Sequence, residues 1–278
     1  MMRFGGVIAV LFSLFAPSAK ACSIDTPCEV GERAYYIAMP EAAADPTPAI
    51  VYIHGWGGSG AGALRNTGMV SGFLERGYAV IAPDGVPREG RVGRSWRFHP
   101  SSGGQMQDVE FLDAVREDAT ERFGLDPERT LLAGFSIGGS MTAYAACLAP
   151  DNFAAYAPLG GNFWRPHPSE CAGPVRLLHT HGWADATVPL EGRVVNDLPA
   201  DDPRAFAQGD IFHAMSVWRR TNGCLHLKAD RFATDGPYWR RIWERCAPDT
   251  ALELALFPGG HSVPASWADL VVNWFEGL

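Results

Sequence analysis

The sequence predicts an α/β domain with a largely parallel central sheet flanked by helices. Strand-like and helix-like segments alternate from residue 35 to residue 181, which is the pattern of successive β-α-β units. Residues 134–138 form a G-x-S-x-G motif between an apolar run and a helix-compatible run, so Ser136 lies at a strand-to-helix turn. Asp185 and His261 each follow a later predicted strand. Together these observations favour a parallel sheet whose strand ends carry the functional residues.

The first elements alternate as a parallel sheet requires. Residues 35–39 alternate as a strand, and residues 50–54 form a continuous apolar strand of the kind that a parallel sheet buries on both faces. Apolar residues at helical spacing predict a helix over 64–76 that ends at Gly77. Residues 78–83 predict the next strand.

The later elements continue this alternation to the end of the chain. A helix is predicted over 105–123, where apolar residues recur at helical spacing and Gly124 follows. Residues 140–146 favour a helix directly after Ser136. The remaining predicted elements are strands over 153–159, 175–181 and 252–257 and an amphipathic helix over 267–275.

Two long segments do not follow the alternation. Residues 84–104 carry arginines and aromatic residues after a strand, and this loop either binds substrate or is a solvated surface loop. Residues 190–250 lose the regular pattern. We interpret them as a partly helical, irregular excursion before the last strand, with a cap as one form that it can take.

The first 21 residues are typical of a secretory signal peptide. Arg3 precedes a short apolar run, and Ala19-Lys20-Ala21 offers small residues for cleavage. The apolar run is too short for a membrane anchor, and a lipoprotein anchor on Cys22 would normally require a leucine that this site lacks. We therefore expect a periplasmic or secreted protein in which residues 22–278 form a single domain.

Charge and cysteine content narrow the classes of partner. The chain has a formal net charge of −8, and removal of Arg3 and Lys20 leaves 21 basic against 31 acidic residues. This charge argues against binding to nucleic acid or to an anionic membrane. Six cysteines in an exported chain indicate disulfides, since no C-x-x-C spacing supports a metal cluster. We hypothesise that they pair in sequence order, which closes three short loops: Cys22 with Cys28, Cys147 with Cys171, and Cys224 with Cys246.

Ser136, Asp185 and His261 have the residue types of a nucleophilic triad. A serine hydroxyl needs a general base to take its proton, and the base needs an acid that holds it in the correct tautomer. The chain order Ser, Asp, His is that of the α/β-hydrolases. The order predicts that Ser136 attacks an acyl carbonyl, that His261 transfers the proton and that Asp185 orients His261.

The glycine-rich loop 55–60 follows the strand after which these enzymes place an oxyanion-hole donor. We expect the oxyanion hole to consist of the backbone N–H of Ile137 and that of Trp56 or Gly57. One tryptophan is usually explained by packing, but four in loops after strands favour an aromatic-lined substrate cleft. The four are Trp56, Trp96, Trp164 and Trp183.

At these motifs the chain resembles the secreted polyhydroxybutyrate depolymerase and bacterial feruloyl esterase group. The matching segments are His54-Gly55-Trp56-Gly57-Gly58, residues 134–139, His181-Gly182-x-x-Asp185, Asn222-Gly223-Cys224 and Gly259-Gly260-His261. The resemblance covers nearly all of the mature chain. It implies the α/β-hydrolase fold, the triad named above and hydrolysis of a carboxylic ester without a cofactor. It also implies a small or oligomeric ester of the hydroxycinnamoyl or short polyhydroxyalkanoate type as substrate.

Other interpretations remain open. The same triad serves serine peptidases and acyltransferases on this fold, and a catalytically silent binding protein could use the same cleft, although the intact triad argues against the latter. His179 and His181 alternate along one strand and face the same side, which would suit zinc, but no third ligand is visible. We therefore expect no metal. The oligomeric state does not follow from the sequence.

Overall fold

The strands of this computed structural model run from the first described residues almost to the C-terminus. The structure describes residues 22–202 and 204–278, so the predicted signal peptide, residues 1–21, lies outside the described residues. The strands are β1 (Cys28–Val30), β2 (Arg33–Ala38), β3 (Thr47–Ile53), β4 (Ala79–Pro83), β5 (Val86–Pro87), β6 (Arg94–Ser95), β7 (Leu125–Phe135), β8 (Ala155–Leu159), β9 (Arg176–Gly182), β10 (Arg231–Asp235), β11 (Tyr238–Trp243) and β12 (Ala251–Phe257).

Ten of the strands in the described residues form one sheet in the order β1-β2-β4-β3-β7-β8-β9-β12-β11-β10. The six central strands, from β4 to β12, pair in parallel. The flanking pairs on both sides are antiparallel. The prediction of a largely parallel sheet is confirmed, and the carboxyl ends of β3, β7, β9 and β12 open at the same edge of the sheet.

The sheet is covered by helices on both faces. The helices are α1 (Gly60–Leu64), α2 (Thr67–Glu75), α3 (Gln105–Phe123), α4 (Ile137–Leu148), α5 (Ile211–Thr221) and α6 (Trp267–Glu276). One hydrophobic core lies under α3, α4 and α5, and a second lies under α1, α2 and α6. In β3, Val51 and Ile53 belong to the first core while Ile50 and Tyr52 belong to the second, which explains the continuous apolar run. Among the described residues, no helix combines the length and the apolar character that crossing a membrane would take.

Helix boundaries agree with the sequence where a glycine ends the helix. Helix α3 spans the predicted residues, and Gly124 follows it with φ +64°, a left-handed conformation that suits glycine. The predicted helix over 64–76 is wrong in extent, because the structure has two helices there. The hydroxyl of Ser59 accepts a hydrogen bond of 3.1 Å from the Gly62 N–H and starts α1 early, within the glycine-rich loop.

The excursion over 190–250 differs from its interpretation as a partly helical segment. It contains α5, as expected, but also the hairpin β10–β11, which extends the sheet beyond β12. Strand β10 is exposed along most of its length, so its sequence lacks the apolar alternation that marks a half-buried strand. The last strand in the sequence therefore lies inside the sheet.

Three disulfides join the six cysteines in sequence order. Cys22 pairs with Cys28, Cys147 with Cys171, and Cys224 with Cys246. The second ties α4 to the segment before β9, and the third ties the end of α5 to the segment before β12. The first two bridges each fasten an irregular connection to a regular element, and the third joins two irregular segments.

Removal of the third bridge should destabilise the fold more than removal of the first. Cys224→Ser with Cys246→Ser opens a loop with a sequence separation of 22 residues, whereas the first bridge closes one of 6. Chain entropy predicts a loss of about 3 kcal/mol for the longer loop and about 2 kcal/mol for the shorter. Urea unfolding of both double variants measures the difference. Equal losses, or a larger loss for Cys22→Ser with Cys28→Ser, would contradict the loop-length argument.

Candidate active site

Ser136 lies at the sharp turn between β7 and α4. Its backbone has φ 61° and ψ −121°, a region that a residue with a side chain rarely adopts. The Ser136 N–H donates to the Leu159 carbonyl at 2.9 Å, and its carbonyl accepts from the Ser140 N–H at 2.9 Å. A Cβ on Gly138 would overlap the Ile53 carbonyl, and one on Gly161 would overlap the Ser136 carbonyl. The turn therefore exists only because these neighbours lack side chains.

The structure brings Ser136, His261 and Asp185 together in one hydrogen-bonded chain. The Ser136 Oγ lies 2.8 Å from His261 Nε2, and His261 Nδ1 lies 2.7 Å from Asp185 Oδ2. An ionised carboxylate only accepts hydrogen bonds, so Nδ1 carries the proton of the neutral ring and Nε2 is free to accept from the serine hydroxyl. This is the arrangement that lets an imidazole act as a general base.

Hydrogen bonds to the Asp185 carboxylate favour its ionised form although the residue is buried. Burial opposes ionisation, but the hydrogen bond from His261 and those from the backbone outweigh it and hold the pKa of Asp185 below its ordinary value. The other carboxylate oxygen, Oδ1, accepts from the N–H groups of Thr187 at 2.9 Å and Val188 at 2.8 Å. The carboxylate therefore has a fixed orientation toward His261.

The glycine-rich loop after β3 approaches the serine closely. A Cβ on Gly55 would lie 3.3 Å from the Ser136 Cβ. The N–H of Gly57 donates to the Arg94 carbonyl at 2.9 Å, so this expected oxyanion-hole donor is already occupied. The N–H groups of Trp56 and Ile137 have no acceptor among the described residues. The sequence offered the N–H of Trp56 or that of Gly57 as the second oxyanion-hole donor. In the structure the N–H of Trp56 is free to donate and that of Gly57 is not.

Buried groups behind the loop hold it in place. His54 Nδ1 donates to the Gly55 carbonyl at 2.8 Å, and its Nε2 accepts from the Gly85 N–H at 3.0 Å. The indole N–H of Trp96 donates to the His54 carbonyl at 3.0 Å. Burial lowers the pKa of His54, which keeps the ring neutral and able to accept at Nε2. The position of the Trp56 N–H thus depends on residues from two different connections.

A cavity of about 480 Å³ opens beside Ser136. Trp56, Trp96 and Trp164 line it, together with Ile137. Phe98 and His99 also line it, and they lie in the loop 84–104 for which the sequence left substrate binding open. Sequence reasoning did not single out several other lining residues: Val188, Val195, Phe206 and Gln208. The last three come from the excursion and are placed by pairing between distant segments, a signal that local sequence patterns do not carry.

Trp183 does not line this cavity, which corrects its interpretation as a residue of the same cleft. Its N–H donates to the Phe257 carbonyl at 2.8 Å, and its ring packs edge-to-face on Trp239 with 6.2 Å between ring centroids. Strand β11, which carries Trp239, was not predicted, so the sequence could not show that Trp183 has a partner on that side.

Comparison with known proteins places this geometry in context. The profile of the Prolyl oligopeptidase family matches residues 67–163, which include Ser136 but neither Asp185 nor His261. The solved acetyl xylan esterase from Aspergillus awamori superimposes with a TM-score of 0.65 and 18% identity, covering 89% of this chain and 95% of that one. The chain therefore has the α/β-hydrolase fold.

Two curated relatives of this chain carry esterase names. It is 32% identical over 180 residues to "Putative esterase NocK" of Nocardia uniformis subsp. tsuyamanensis, covering 62% of this chain and 50% of that protein. It is 27% identical over 181 residues to feruloyl esterase B of Piromyces equi, covering 64% and 33%. The chain therefore spans half the length or less of these curated relatives.

Three buried, neutral side chains support the Asp185 loop through consecutive hydrogen bonds. The Asn162 amide donates to His179 Nδ1 at 3.1 Å, so the ring proton of His179 is on Nε2, which lies 3.1 Å from His181 Nδ1. His181 Nε2 in turn donates to the Val188 carbonyl at 2.8 Å. The ring nitrogens that the zinc hypothesis considered are thus engaged with one another. In the described residues, no three His, Cys, Asp or Glu side chains are grouped to hold a metal ion.

Burial sets the charge state of this pair. It lowers the pKa of His181 and places that of His179 well below the ordinary value, so both rings are neutral at neutral pH. In the unfolded chain each ring takes up a proton below about pH 6.5, while the folded ring does not. Because the unfolded state then binds more protons, the stability that depends on neutral His179 is present above about pH 6.5 and is lost as the pH falls.

His179→Gln should make the fold less sensitive to acid. Glutamine offers an acceptor to Asn162 and a donor to His181 but takes up no proton. The fall in unfolding free energy below about pH 6.5 should therefore become shallower by up to about 1.4 kcal/mol per pH unit. Urea unfolding between about pH 7.5 and pH 5.5 measures this slope. His226→Gln, at a partly exposed position, is the control and should not make the slope shallower. An unchanged slope in His179→Gln would show that this ring does not stay neutral when folded.

Proposed function

We propose that this chain is a serine carboxylic ester hydrolase that works through an acyl-serine intermediate. The observation that carries the proposal is the continuous hydrogen-bonded chain from Ser136 through His261 to Asp185, beside the free N–H groups of Trp56 and Ile137. The names of the curated relatives, which include feruloyl and carboxyl esterases, support the same activity.

The proposed mechanism follows from the positions of the protons. The Ser136 Oγ attacks the ester carbonyl while its proton moves to His261 Nε2, and the N–H groups of Ile137 and Trp56 donate to the oxyanion of the tetrahedral intermediate. His261 then gives the proton to the departing alcohol, which leaves the acyl group on Ser136. Water attacks this ester with His261 again as the base, and collapse releases the acid and restores the serine. Asp185 stabilises the imidazolium that forms in each step.

We infer that the substrate is compact or aromatic. The cavity holds about 480 Å³, and three tryptophan rings with Phe98 and Phe206 supply flat walls next to the nucleophile. Such walls suit a hydroxycinnamoyl group or a short hydroxyalkanoate better than a long flexible chain. The feruloyl esterases among the curated relatives support the first of these substrate types. The resemblance of the sequence motifs to polyhydroxybutyrate depolymerases supports the second.

A serine peptidase is the second candidate, because the matching family profile is that of the Prolyl oligopeptidase family. Esters and amides of the same acyl group separate the two. A peptidase would turn over a butyryl or peptidyl anilide at a rate comparable with the corresponding ester, whereas the proposed esterase would show a large preference for the ester.

We also propose export and a single catalytic domain over 22–278. Three disulfides are typical of proteins that fold in an oxidising compartment. The segment 190–209, which contributes Arg193, Val195, Phe206 and Gln208 to the cavity wall, would be the cap part of the excursion.

Ser136→Ala should abolish ester hydrolysis. Removal of the hydroxyl leaves His261 without a nucleophile to activate, so kcat should fall by roughly 10⁴-fold or more, and labelling by a fluorophosphonate probe should disappear. Nitrophenyl butyrate hydrolysis and mass spectrometry of the labelled protein measure the two effects. Ser216→Ala, on the distant helix α5, is the matched control and should retain both. Retention of more than a few per cent of activity by Ser136→Ala would disprove the assignment.

Short or aromatic acyl esters should be preferred over long ones. We expect kcat/KM on butyrate, hydroxycinnamoyl or 3-hydroxybutyrate oligomer esters to exceed that on palmitate esters by roughly tenfold to two-hundredfold, the range commonly obtained from pocket contacts. Steady-state kinetics below the micellar limit measure the ratio. Comparable values for nitrophenyl butyrate and nitrophenyl palmitate would refute the aromatic-wall argument and leave the role of Ser136 unaffected.

A further inference from the structure

Charge is distributed unevenly in the wall of the cavity beside Ser136. The chain has 31 acidic residues, yet none of them lines this cavity. In the described part of the chain, Arg193 is the one lysine, arginine, aspartate or glutamate in the wall. A negatively charged protein thus presents a cation, and no anion, to whatever enters beside the nucleophile.

The structure holds Arg193 in place from two sides. Its backbone carbonyl accepts from the Gln208 N–H at 2.9 Å, and the N–H of Val195 donates to the Phe206 carbonyl at 2.9 Å, so segments 193–195 and 206–208 pair with each other. Arg193 Nε donates to Gln208 Oε1 at 3.3 Å, and the amide of Gln208, which is buried, donates to the Thr187 carbonyl at 3.1 Å. Gln208 thus connects the guanidinium to the loop that carries Asp185.

The remaining nitrogens of Arg193 are left without a protein partner. Among the described residues, no carboxylate oxygen lies within 4.0 Å of its guanidinium. Two other arginines illustrate the contrast, since Arg94 lies 3.0 Å from Asp84 and Arg204 lies 2.6 Å from Asp202. With Nε bound to Gln208, the two terminal nitrogens can both donate to one carboxylate in the bidentate geometry that arginine favours.

We propose that Arg193 binds a carboxylate of the substrate, so that the preferred esters are those that carry a free carboxylate besides the scissile bond. The inference rests on the proposed function, because it needs Ser136 to hydrolyse esters in this cavity. A hydroxy acid oligomer with a free acid end and an ester of an acidic sugar both have this chemistry. The aromatic walls hold the neutral part of the substrate, and Arg193 selects the charged group. Because Arg193 is also exposed to solvent, the selection weakens with ionic strength.

Two pairs of nearly isosteric esters test the proposal. Nitrophenyl hydrogen adipate and methyl nitrophenyl adipate differ in a carboxylate on the acyl side, and carboxyphenyl acetate and its methyl ester differ in one on the alcohol side. The readout is the ratio of kcat/KM for the charged ester to that for the neutral ester, corrected for spontaneous hydrolysis. We expect Arg193→Gln to lower this ratio by about fivefold in at least one pair, as for the loss of one ion pair at an exposed site.

Two further variants test whether the change in the ratio is specific to the guanidinium of Arg193. Arg204→Gln removes an arginine that is paired with Asp202 and lies outside the cavity wall, so it should leave both ratios unchanged. Arg193→Lys keeps the charge without the planar fork and should retain part of the preference. It also replaces Arg193→Gln if circular dichroism shows that the latter does not fold. In the wild type, raising the ionic strength from about 0.01 M to 0.5 M should lower the ratio.

A binding measurement separates failure of this inference from failure of the proposed function. Monomethyl adipate and dimethyl adipate are titrated into Ser136→Ala, with and without Arg193→Gln, and the fluorescence of the tryptophans in the cavity reports binding. One outcome is that Ser136→Ala binds monomethyl adipate selectively and only when Arg193 is present, while the wild type hydrolyses none of the four esters. That outcome would support the carboxylate site at Arg193 and refute the proposed ester hydrolase activity. Equal charged-to-neutral ratios with and without Arg193, in kinetics and in binding, would overturn the inference.

Discussion

The structure depends on the backbone of Ser136, which is held in a conformation that costs about 1–3 kcal/mol. The conformation persists because strand β7 on one side packs into both hydrophobic cores and helix α4 on the other packs into the first. Both elements lie in the middle of the fold, where neither can shift to relieve the strain. Gly138 and Gly161 then allow the neighbouring backbones to close around the turn. A nucleophile on a more mobile loop would relax into an ordinary conformation and withdraw its hydroxyl from the cavity.

Parallel pairing brings the other two members of the chain to the same edge. Strands β9 and β12 are neighbours, and their register continues into the loops, where the Trp183 N–H reaches the Phe257 carbonyl and the Ala184 N–H reaches the Gly259 carbonyl. These two hydrogen bonds fasten the Asp185 loop to the His261 loop. The distance between Asp185 and His261 is therefore set by the same ladder that joins the strands, and not by the two side chains alone.

Local signals predicted much of this arrangement. The bounds of helix α3, which ends before Gly124, were predicted correctly, and the apolar run of β3 correctly indicated a strand covered on both faces. The positions of Ser136, Asp185 and His261 after strands also follow from local patterns. What sequence patterns could not supply is non-local pairing. The hairpin β10–β11 is too exposed to alternate, Trp183 turns toward a partner on that hairpin, and Gly57 is occupied by a carbonyl from a distant connection.

The buried histidines next to Asp185 have an electrostatic consequence for the proposed mechanism. His181 Nε2 lies 3.6 Å from Asp185 Oδ2, closer than any other histidine nitrogen apart from Nδ1 of His261 among the described residues. If His181 were protonated, its charge would compete for the carboxylate that must stabilise the imidazolium of His261. Burial prevents this by lowering the pKa of His181. The neutral ring of His179 donates a hydrogen bond to His181 Nδ1, so Nε2 is the one donor nitrogen of His181. The full negative charge of Asp185 thus remains available to His261, since the rings that support its loop carry no charge of their own.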